Sequence, residues 1–350
     1  MIIEKSILIS GLISYAASTI TTCNPLHDKH CPKNNALSAS FSEEFLVESK
    51  WFSNNGNPGN ITYDESGLGI SLTKRFDNPS LKSNFYFMYG KFEAIIKAAP
   101  GTGIVSSIFL QSDCLDEIDI EWLGGDKNEV QSNFFSKGVT TTYNRGMFHP
   151  VNDSVSAFHN YTLDWQQDKT QWYIDGTLVR TLNSDDSEGY PQTPMSLYIG
   201  IWAGGDPSNQ PGVIEWAGGE TNYNDVPFTM YLKKLVVTDY STGSEYMYAD
   251  KSGSAKSIKA KDGLINGRYA EAQIEFAKLV YTDAETTSGT YSSLNETKTT
   301  TKNTSSSTSS DTSSSSIKSK YANGSPILVT ESLVSSLMYS ATTLLLAFVH

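Results

Sequence analysis

The sequence predicts an all-β fold in which two antiparallel sheets pack face to face as a sandwich or jelly roll. Residues 41–248 form short segments in which apolar and polar residues alternate, and glycine, asparagine or proline separates one segment from the next. Few runs in this region have helical periodicity. Each sheet of such a fold buries one face, so we expect one apolar core between the two sheets.

The predicted strands follow one another in chain order: GLGISLTKR, YGKFEAIIKA, GIVSSIFLQS, EIDIEWLG, VQSNFFSK, HNYTLDWQQ, TQWYIDGTLVRTL, MSLYIGIWAGG and FTMYLKKLVVTDY. Asp175 and Gly176 predict the two-residue turn of a hairpin within the seventh of these segments. Beyond Tyr248 the alternation weakens, and residues 267–280 predict a short helix packed on the domain. We therefore place the β-rich domain at 41–248 and an extension at 249–283.

The N-terminal residues predict export from the cell. Lys5 precedes the apolar run ILISGLISYAA, and small residues follow, which is the three-part pattern of a signal peptide. We place the signal peptide at 1–18 and an N-terminal segment at 19–40. A membrane anchor is the alternative, but crossing a bilayer takes ~20 apolar residues, and this run is shorter.

The C-terminal residues predict a stalk at 284–323 and a GPI-attachment propeptide at 324–350. The run SSSTSSDTSSSS cannot bury enough apolar surface to offset chain entropy, so we expect an extended, O-glycosylated segment. Small residues in ANGSP, a polar spacer and a final apolar stretch form the attachment pattern, with Asn323 as the preferred ω residue and Ala322 or Gly324 as alternatives. A transmembrane helix is the competing interpretation of the apolar stretch. Anchoring would display the domain on the plasma membrane or the cell wall.

Charge and glycosylation patterns fit an exported protein that binds neutral polymers. The net charge of -12 disfavours nucleic acid as a partner and leaves sugars open. The acceptor candidates for N-glycosylation are Asn60, Asn152, Asn160, Asn295 and Asn303.

The three cysteines divide into a pair and a single residue. Cys23 and Cys31 are close in sequence, and an oxidising compartment favours a local disulfide between them. Cys114 is left unpaired, and we expect it to be buried and structural.

The stretch DCLDEIDIEWLGGD contains an unusual run of acids. On a strand, Glu117, Asp119 and Glu121 project to one face, while the residues between them project to the other. A solvated amphipathic strand is the simple interpretation, but three like charges in a row repel one another. Crowding separates the pKa values of carboxyl groups, which a glycosidase needs for an ionised nucleophile and a protonated acid. A retaining mechanism needs these groups about 5–5.5 Å apart, so Glu117 and Glu121 must lean toward each other.

The motif DEIDIEW resembles the active-site strand of glycoside hydrolase family sixteen, whose members are concanavalin A-like β-jelly rolls. The segments FDNPSLKSNFYFMYGK and GIWAGGDPSNQPGVIEWAGGETNY resemble the Crh family of fungal cell-wall transglycosylases. The resemblance implies that Glu117 is the nucleophile, Asp119 the assisting carboxylate and Glu121 the general acid/base. It also implies a chitin donor and a β-1,6- or β-1,3-glucan acceptor. We expect a monomer.

The candidate substrate-binding residues come from the strands and loops around these acids: Gln111, Asn133, Phe135, Trp202, Trp216, Lys82, Tyr143 and Arg145. Trp202 and Trp216 each open a WAGG repeat, whose glycines would let a polymer approach the rings. We expect Trp202 to face the cleft more than Trp216. The amides of Gln111 and Asn133 can bind sugar hydroxyls, and Phe135 shares a face with Asn133.

Other chemistries have less support. His149 and His159 fit packed, hydrogen-bonded histidines, because the acids already supply the acid/base roles. No residues have zinc-ligand spacing and no phosphate loop follows a strand, so we predict no cofactor and no metal. Two alternatives to the transglycosylase remain: a plain hydrolase of chitin or β-glucan, and a non-catalytic surface glycan-binding protein.

Overall fold

Two antiparallel sheets of seven and eight strands form most of the computed structural model, which describes residues 23–28, 30–140 and 144–281. A third sheet has three strands. The jelly-roll sandwich predicted from the alternating segments is thereby confirmed. The predicted signal peptide, stalk and GPI propeptide, together with Asn295 and Asn303, lie outside the described residues.

The strands, in chain order, are β1 (Asn34–Asn35), β2 (Ser40–Glu43), β3 (Phe52–Asn54), β4 (Asn60–Asp64), β5 (Gly67–Leu72), β6 (Ser80–Ser83), β7 (Gly90–Lys97), β8 (Ile104–Ser112), β9 (Glu117–Leu123), β10 (Glu129–Phe135), β11 (Met147–Pro150), β12 (His159–Trp165), β13 (Lys169–Ile174), β14 (Thr177–Asn183), β15 (Met195–Ala203), β16 (Phe228–Asp239), β17 (Glu245–Tyr248) and β18 (Ile258–Ala260). The α-helices are α1 (Pro211–Trp216) and α2 (Tyr269–Tyr281), and short 3-10 helices span Tyr223–Asp225 and Ala255–Ser257.

The strand order places the acidic strand near the middle of its sheet. The seven-stranded sheet has the order β11-β10-β9-β8-β15-β6-β3, so two strands lie on one side of β9 and four on the other. The eight-stranded sheet has the order β14-β13-β12-β7-β16-β5-β4, and β2 also pairs with β16. Side chains from both sheets form one large buried core, as the alternation predicts.

Two local predictions are also confirmed. Asp175 and Gly176 join β13 to β14 with φ angles of 48° and 76°, the left-handed conformation that a two-residue hairpin turn requires. The helix expected at 267–280 is α2, and it packs against β16 and β2.

The extension at 249–283 is continuous with the rest of the fold. In the three-stranded sheet, β17 pairs with β1 from the N-terminal segment and with β18 from the extension. Tyr248, where we placed the end of the β-rich domain, is the last residue of β17. This strand pairs with one strand on each side, from the N-terminal segment and from the extension. This sheet joins both ends of the described chain to the sandwich.

The remaining expectations on the described residues concern the surface and the cysteines. Cys23 and Cys31 form the expected disulfide, and Cys114 is free and buried. Asn60 and Asn152 are exposed, and Asn160 is half-buried. Within the described ranges, neither α1 nor α2 combines the length and the apolar composition that crossing a bilayer would take.

Candidate active site

The acidic strand β9 has one face in the core and one face turned away from it. Ile118, Ile120 and Trp122 are buried in the core, and the Trp122 ring packs edge-on against Tyr161 at 4.7 Å. Because side chains alternate along a strand, this packing holds Glu117, Asp119 and Glu121 on the opposite side of the sheet. We call that side of the seven-stranded sheet the acid face.

The strands beside β9 bring polar and aromatic side chains onto the acid face. The register pairs Glu117 with Gln111 and Phe135, Asp119 with Phe109 and Asn133, and Glu121 with Ser107 and Gln131. Residues directly opposite each other in antiparallel strands point to the same face. The structure therefore brings together the three acids and the predicted neighbours on β8 and β10.

Glu117 is bound by two neighbours on the acid face. Gln111 Nε2 donates a hydrogen bond of 2.5 Å to Glu117 Oε2. Burial raises the pKa of Glu117, while hydrogen bonds from Gln111 and Asp119 lower it. These two donors favour the ionised carboxylate, which is the form that attacks as a nucleophile.

Asp119 is the middle acid of the three on β9. Burial raises its pKa well above the usual range, and the charges of Glu117 and Glu121 on either side raise it further. Arg180, which donates from Nη1 to Ser132 O at 2.9 Å behind the sheet, offsets part of this effect. Asp119 therefore keeps its proton and can donate it in the hydrogen bond to Glu117.

Glu121 has the properties of an acid that also acts as a base near neutral pH. Burial, followed by the charge of Glu117, raises its pKa to about 8. Its side chain is 7% exposed, and no hydrogen bond to its carboxyl group occurs among the described residues. The protein leaves this group free to exchange a proton with a ligand.

The two tryptophans differ in depth, although Trp202 is on the acid face, where it pairs with Val105, which in turn pairs with Leu123, two residues after Glu121. Trp202 is 5% exposed and belongs to a small buried cluster with Val105, Leu123 and α1. Trp216, the last residue of α1, stacks on it with the ring centroids 6.1 Å apart and remains half-buried. Its Nε1 donates to Gln131 Oε1 at 3.2 Å, beside Glu121. Trp216 is thus the more accessible ring, because α1 covers Trp202.

The glycines of the first WAGG repeat do not open the site to a polymer, which corrects our expectation. A Cβ atom on Gly205 would collide with Gly219 O and with Gly103 Cα at 2.7 Å, and one on Gly204 would lie 2.8 Å from Ala217 Cβ. These glycines let the two repeats pack against each other. In the second repeat, Gly218 is exposed and has no neighbour within 4 Å of a Cβ position.

Sequence reasoning missed an aromatic pair on the acid face. Phe109 stacks on Tyr198 with centroids 4.8 Å apart and planes 7° apart, and Phe109 lies opposite Asp119. Lys82 lies 5.3 Å from the Tyr198 ring centroid, which places this predicted residue beside the pair. Alternation on β8 contained the signal for Phe109, which lies two residues before Gln111 and so shares its face.

The other predicted substrate-binding residues differ in accessibility. Asn133 is half-buried, and its Oδ1 accepts a hydrogen bond from Phe134 N at 2.9 Å. Phe135 is buried below the Arg145 guanidinium, 4.8 Å from its ring centroid. Arg145 is itself buried and donates to Val139 O at 2.8 Å, so its contacts are within the protein. Tyr143 lies outside the described residues.

Both histidines are held by hydrogen bonds at a distance from the acid trio, in agreement with the packed role expected of them. His149 is buried with its Nε2 2.7 Å from Ser132 Oγ, and burial lowers its pKa. His159 lies 2.7 Å from Asp175 Oδ2 through Nδ1 and 2.8 Å from Asn152 O through Nε2. Neither is on the acid face.

Comparison with protein families identifies a match to the model of Glycosyl hydrolases family 16 over residues 48–218. Congo red hypersensitive protein 1 of Saccharomyces cerevisiae is 61% identical over 272 residues, which are 78% of this chain and 54% of that protein. Crh-like protein CRH11 of Candida albicans is 50% identical over 271 residues, which are 77% of this chain and 60% of that protein. The chain thus spans little more than half the length of these relatives.

Solved structures give a matching result. The Crh5 transglycosylase in complex with NAG is 46% identical, with a TM-score of 0.66, and the match covers 68% of this chain and all of that one (100%). A Bacillus licheniformis beta-glucanase is 30% identical, with a TM-score of 0.50 and coverage of 58% of this chain and 99% of that one.

Proposed function

We propose, from the premise that the chain belongs to glycosyl hydrolase family 16, that it is a retaining transglycosylase acting on cell-wall polysaccharides. The observation that carries this proposal is the division of roles on one strand. Burial raises the pKa of both glutamates, but hydrogen bonds from Gln111 and Asp119 offset part of the rise at Glu117, whereas the charge of Glu117 adds to it at Glu121, whose pKa is raised to about 8. One ionised and one protonated carboxyl group on the same face are what cleavage of a glycosidic bond needs.

In the first step, the Glu117 carboxylate attacks the anomeric carbon of the donor. The bond from this carbon to the leaving oxygen breaks, and Glu121 gives that oxygen its proton. Asp119 holds Glu117 by a hydrogen bond from its own retained proton. The product of this step is a glycosyl ester on Glu117, with Glu121 ionised.

In the second step, Glu121 acts as the base. It removes the proton of an acceptor hydroxyl group, and the resulting oxygen attacks the anomeric carbon and releases Glu117. If the acceptor is a sugar the result is transfer, and if it is water the result is hydrolysis. An acceptor site favours transfer because it presents a sugar hydroxyl at high effective concentration.

Chitin as donor and β-1,6- or β-1,3-glucan as acceptor is the substrate pair we propose. The support is a relative that is a transglycosylase with NAG bound, and the aromatic rings of Tyr198 and Trp216, which suit the apolar faces of pyranose rings. Hydrolysis of chitin or β-glucan is the second candidate, favoured by the similarity to a beta-glucanase.

Labelled acceptors separate these two candidates. The protein is incubated with N-acetylglucosamine oligomers and fluorescent glucan oligosaccharides, and the products are separated by size. We expect a fluorescent product longer than the acceptor, and none with Glu117→Gln. New reducing ends without labelled product would instead support hydrolysis.

We also propose attachment to the cell surface through a GPI anchor at Asn323, with a catalytic domain at 41–248. The support is the small-residue site before a polar spacer and an apolar stretch. Release of the protein from intact cells by a phosphatidylinositol-specific phospholipase tests the anchor, and Asn323→Pro is the control. A protein retained in membranes after this treatment would contradict the proposal.

A further inference from the structure

A polar groove lies among residues that belong to neither β9 nor its neighbouring strands. It has a volume of about 630 Å³, within the range of about 300–1,000 Å³ that is usual for ligand sites. The groove is formed by the turn between β12 and β13, the residue after β14, and the segment that enters α2. Its lining residues are Gln166, Gln167, Asp168, Ser184, Asn266 and Tyr269.

The side chains that line the groove have the chemistry that binds a neutral sugar. Amides, a hydroxyl group and a carboxylate can each bind sugar hydroxyls, and the exposed ring of Tyr269 can stack on the apolar face of a pyranose. None of the lining residues is cationic, so an anionic ligand has no counter-charge. None is aliphatic, so an apolar ligand has no matching surface.

Hydrogen bonds and packing hold the floor of the groove in place. Tyr190 Oη donates to Gln166 O at 2.5 Å, and Ser184 N donates to Asp168 O at 2.8 Å. The Tyr269 ring packs edge-on against the buried Tyr240 with centroids 4.8 Å apart. A ligand therefore meets a ring whose plane is already set, which lowers the entropy cost of binding.

Hydrogen bonds fix the positions of Asn266 and Gln167 at the rim of the groove. Asn266 Nδ2 donates to Gln167 Oε1 at 3.4 Å, and Asn266 N donates to Ser241 Oγ at 3.1 Å. Asp168 and Tyr269 both line the groove, and burial, followed by the charges of Asp164 and Asp168, raises the pKa of Tyr269. The acceptor and donor groups of the groove thus lie around the single aromatic ring.

We infer that this groove is a non-catalytic binding site for a neutral glycan chain. It would hold a polysaccharide at a place separate from the acid face, through hydroxyl contacts to the amides and stacking on Tyr269. The inference concerns binding and does not depend on the reaction proposed for the acids.

Calorimetric titration of the full chain carrying Glu117→Gln, which prevents turnover, tests this site. The probes are hexamers of β-1,4-linked N-acetylglucosamine and of β-1,3-linked glucose, and an oligogalacturonate hexamer is the anionic control. We expect two neutral oligosaccharides per chain and no oligogalacturonate at the groove. Adding Tyr269→Ala should weaken one of the two sites by about tenfold and leave the other unchanged.

Tyr281→Ala is the matched control, because Tyr281 is at the other end of α2, is 69% exposed and does not line the groove. It should keep both sites. Gln167→Ala, at an exposed position, tests the same groove if Tyr269→Ala lowers the thermal stability.

The stoichiometry separates this inference from the proposed function. If the Glu117→Gln protein binds one oligosaccharide and Tyr269→Ala removes that binding, the result would support the groove and count against glycan binding at the acid face. A parent whose binding neither Tyr269→Ala nor Gln167→Ala alters would overturn the groove, as would equal binding of the anionic hexamer.

Discussion

Glu121 on the seven-stranded sheet and Asp239 on the eight-stranded sheet are both buried carboxyl groups with raised pKa values. Burial raises the pKa of Asp239 to about 7 and, with the charge of Glu117, that of Glu121 to about 8. Their surroundings differ. Asp239 accepts hydrogen bonds from Ser38 N at 3.0 Å, Ser241 N at 2.9 Å and Tyr246 Oη at 2.7 Å, whereas no such bond reaches Glu121 among the described residues.

The difference shows what separates a structural acid from one that can do chemistry. A buried carboxyl group whose acceptor positions are filled by the protein stabilises the fold and has no capacity left for a ligand. Glu121 retains its capacity. A raised pKa is therefore insufficient to identify a catalytic acid, and the number of protein donors around the group decides between the two roles.

The largest expected effect is on catalysis at the acid face. Glu117→Gln removes the proposed nucleophile with little change in shape, so we expect the turnover rate to fall by at least about 10⁴-fold. Thermal unfolding should stay close to that of the unchanged protein. An active Glu117→Gln protein would contradict the role assigned to this residue.

The matching change on the other sheet should act on stability. Asp239→Asn places an amide N–H₂ group where backbone and tyrosine donors converge, which should cost about 3 kcal/mol in the free energy of unfolding. Urea denaturation measures this loss. The fraction that remains folded should turn over substrate at the normal rate. A stable but inactive Asp239→Asn protein would contradict the structural role that we assign to Asp239.

The pH profile sharpens the same comparison. In the proposed first step Glu121 carries a proton, and its pKa of about 8 in the folded protein means that the proton is present below that pH and lost above it. We expect kcat/KM to fall about tenfold per pH unit above this point. Asp239, with a pKa of about 7, should add no limb to the profile. An alkaline limb that is unchanged in Glu121→Gln, or that is lost in Asp239→Asn, would contradict the assignment.

A smaller effect is expected from the donor to Glu117. Because the Gln111 hydrogen bond lowers the pKa of Glu117, Gln111→Ala should move the acid limb of the profile to higher pH and lower the rate by about tenfold on that side. Asn133→Ala is the control for limb position, because the Asn133 amide oxygen is bonded to Phe134 N. Equal shifts in both variants would show that Gln111 has no specific role.

Local sequence patterns were enough to predict the sandwich fold and the acidic strand. Alternation put Glu117, Asp119 and Glu121 on one face, and the Asp175-Gly176 pair marked its hairpin, because these features depend only on neighbouring residues. They required no knowledge of which strands pair.

Features that depend on register could not be found in the same way. Tyr198 meets Phe109 only because β15 pairs with β8, two strands that are about 90 residues apart in the chain. Trp202 is on the acid face, but α1 folds back over it, and a short helix at this position leaves no clear periodic pattern. The polar groove beside Tyr269 likewise needs residues from separate turns.

Cys114 allows the acidic strand to be observed without any added label. Burial raises the pKa of this thiol to about 12, and the other two cysteines are joined to each other. An alkylating reagent can modify the protein only when the segment before β9 separates from its neighbours. The rate of that modification therefore measures how often the sheet opens beside Glu117. A bound glycan that stabilises the sheet would lower this rate.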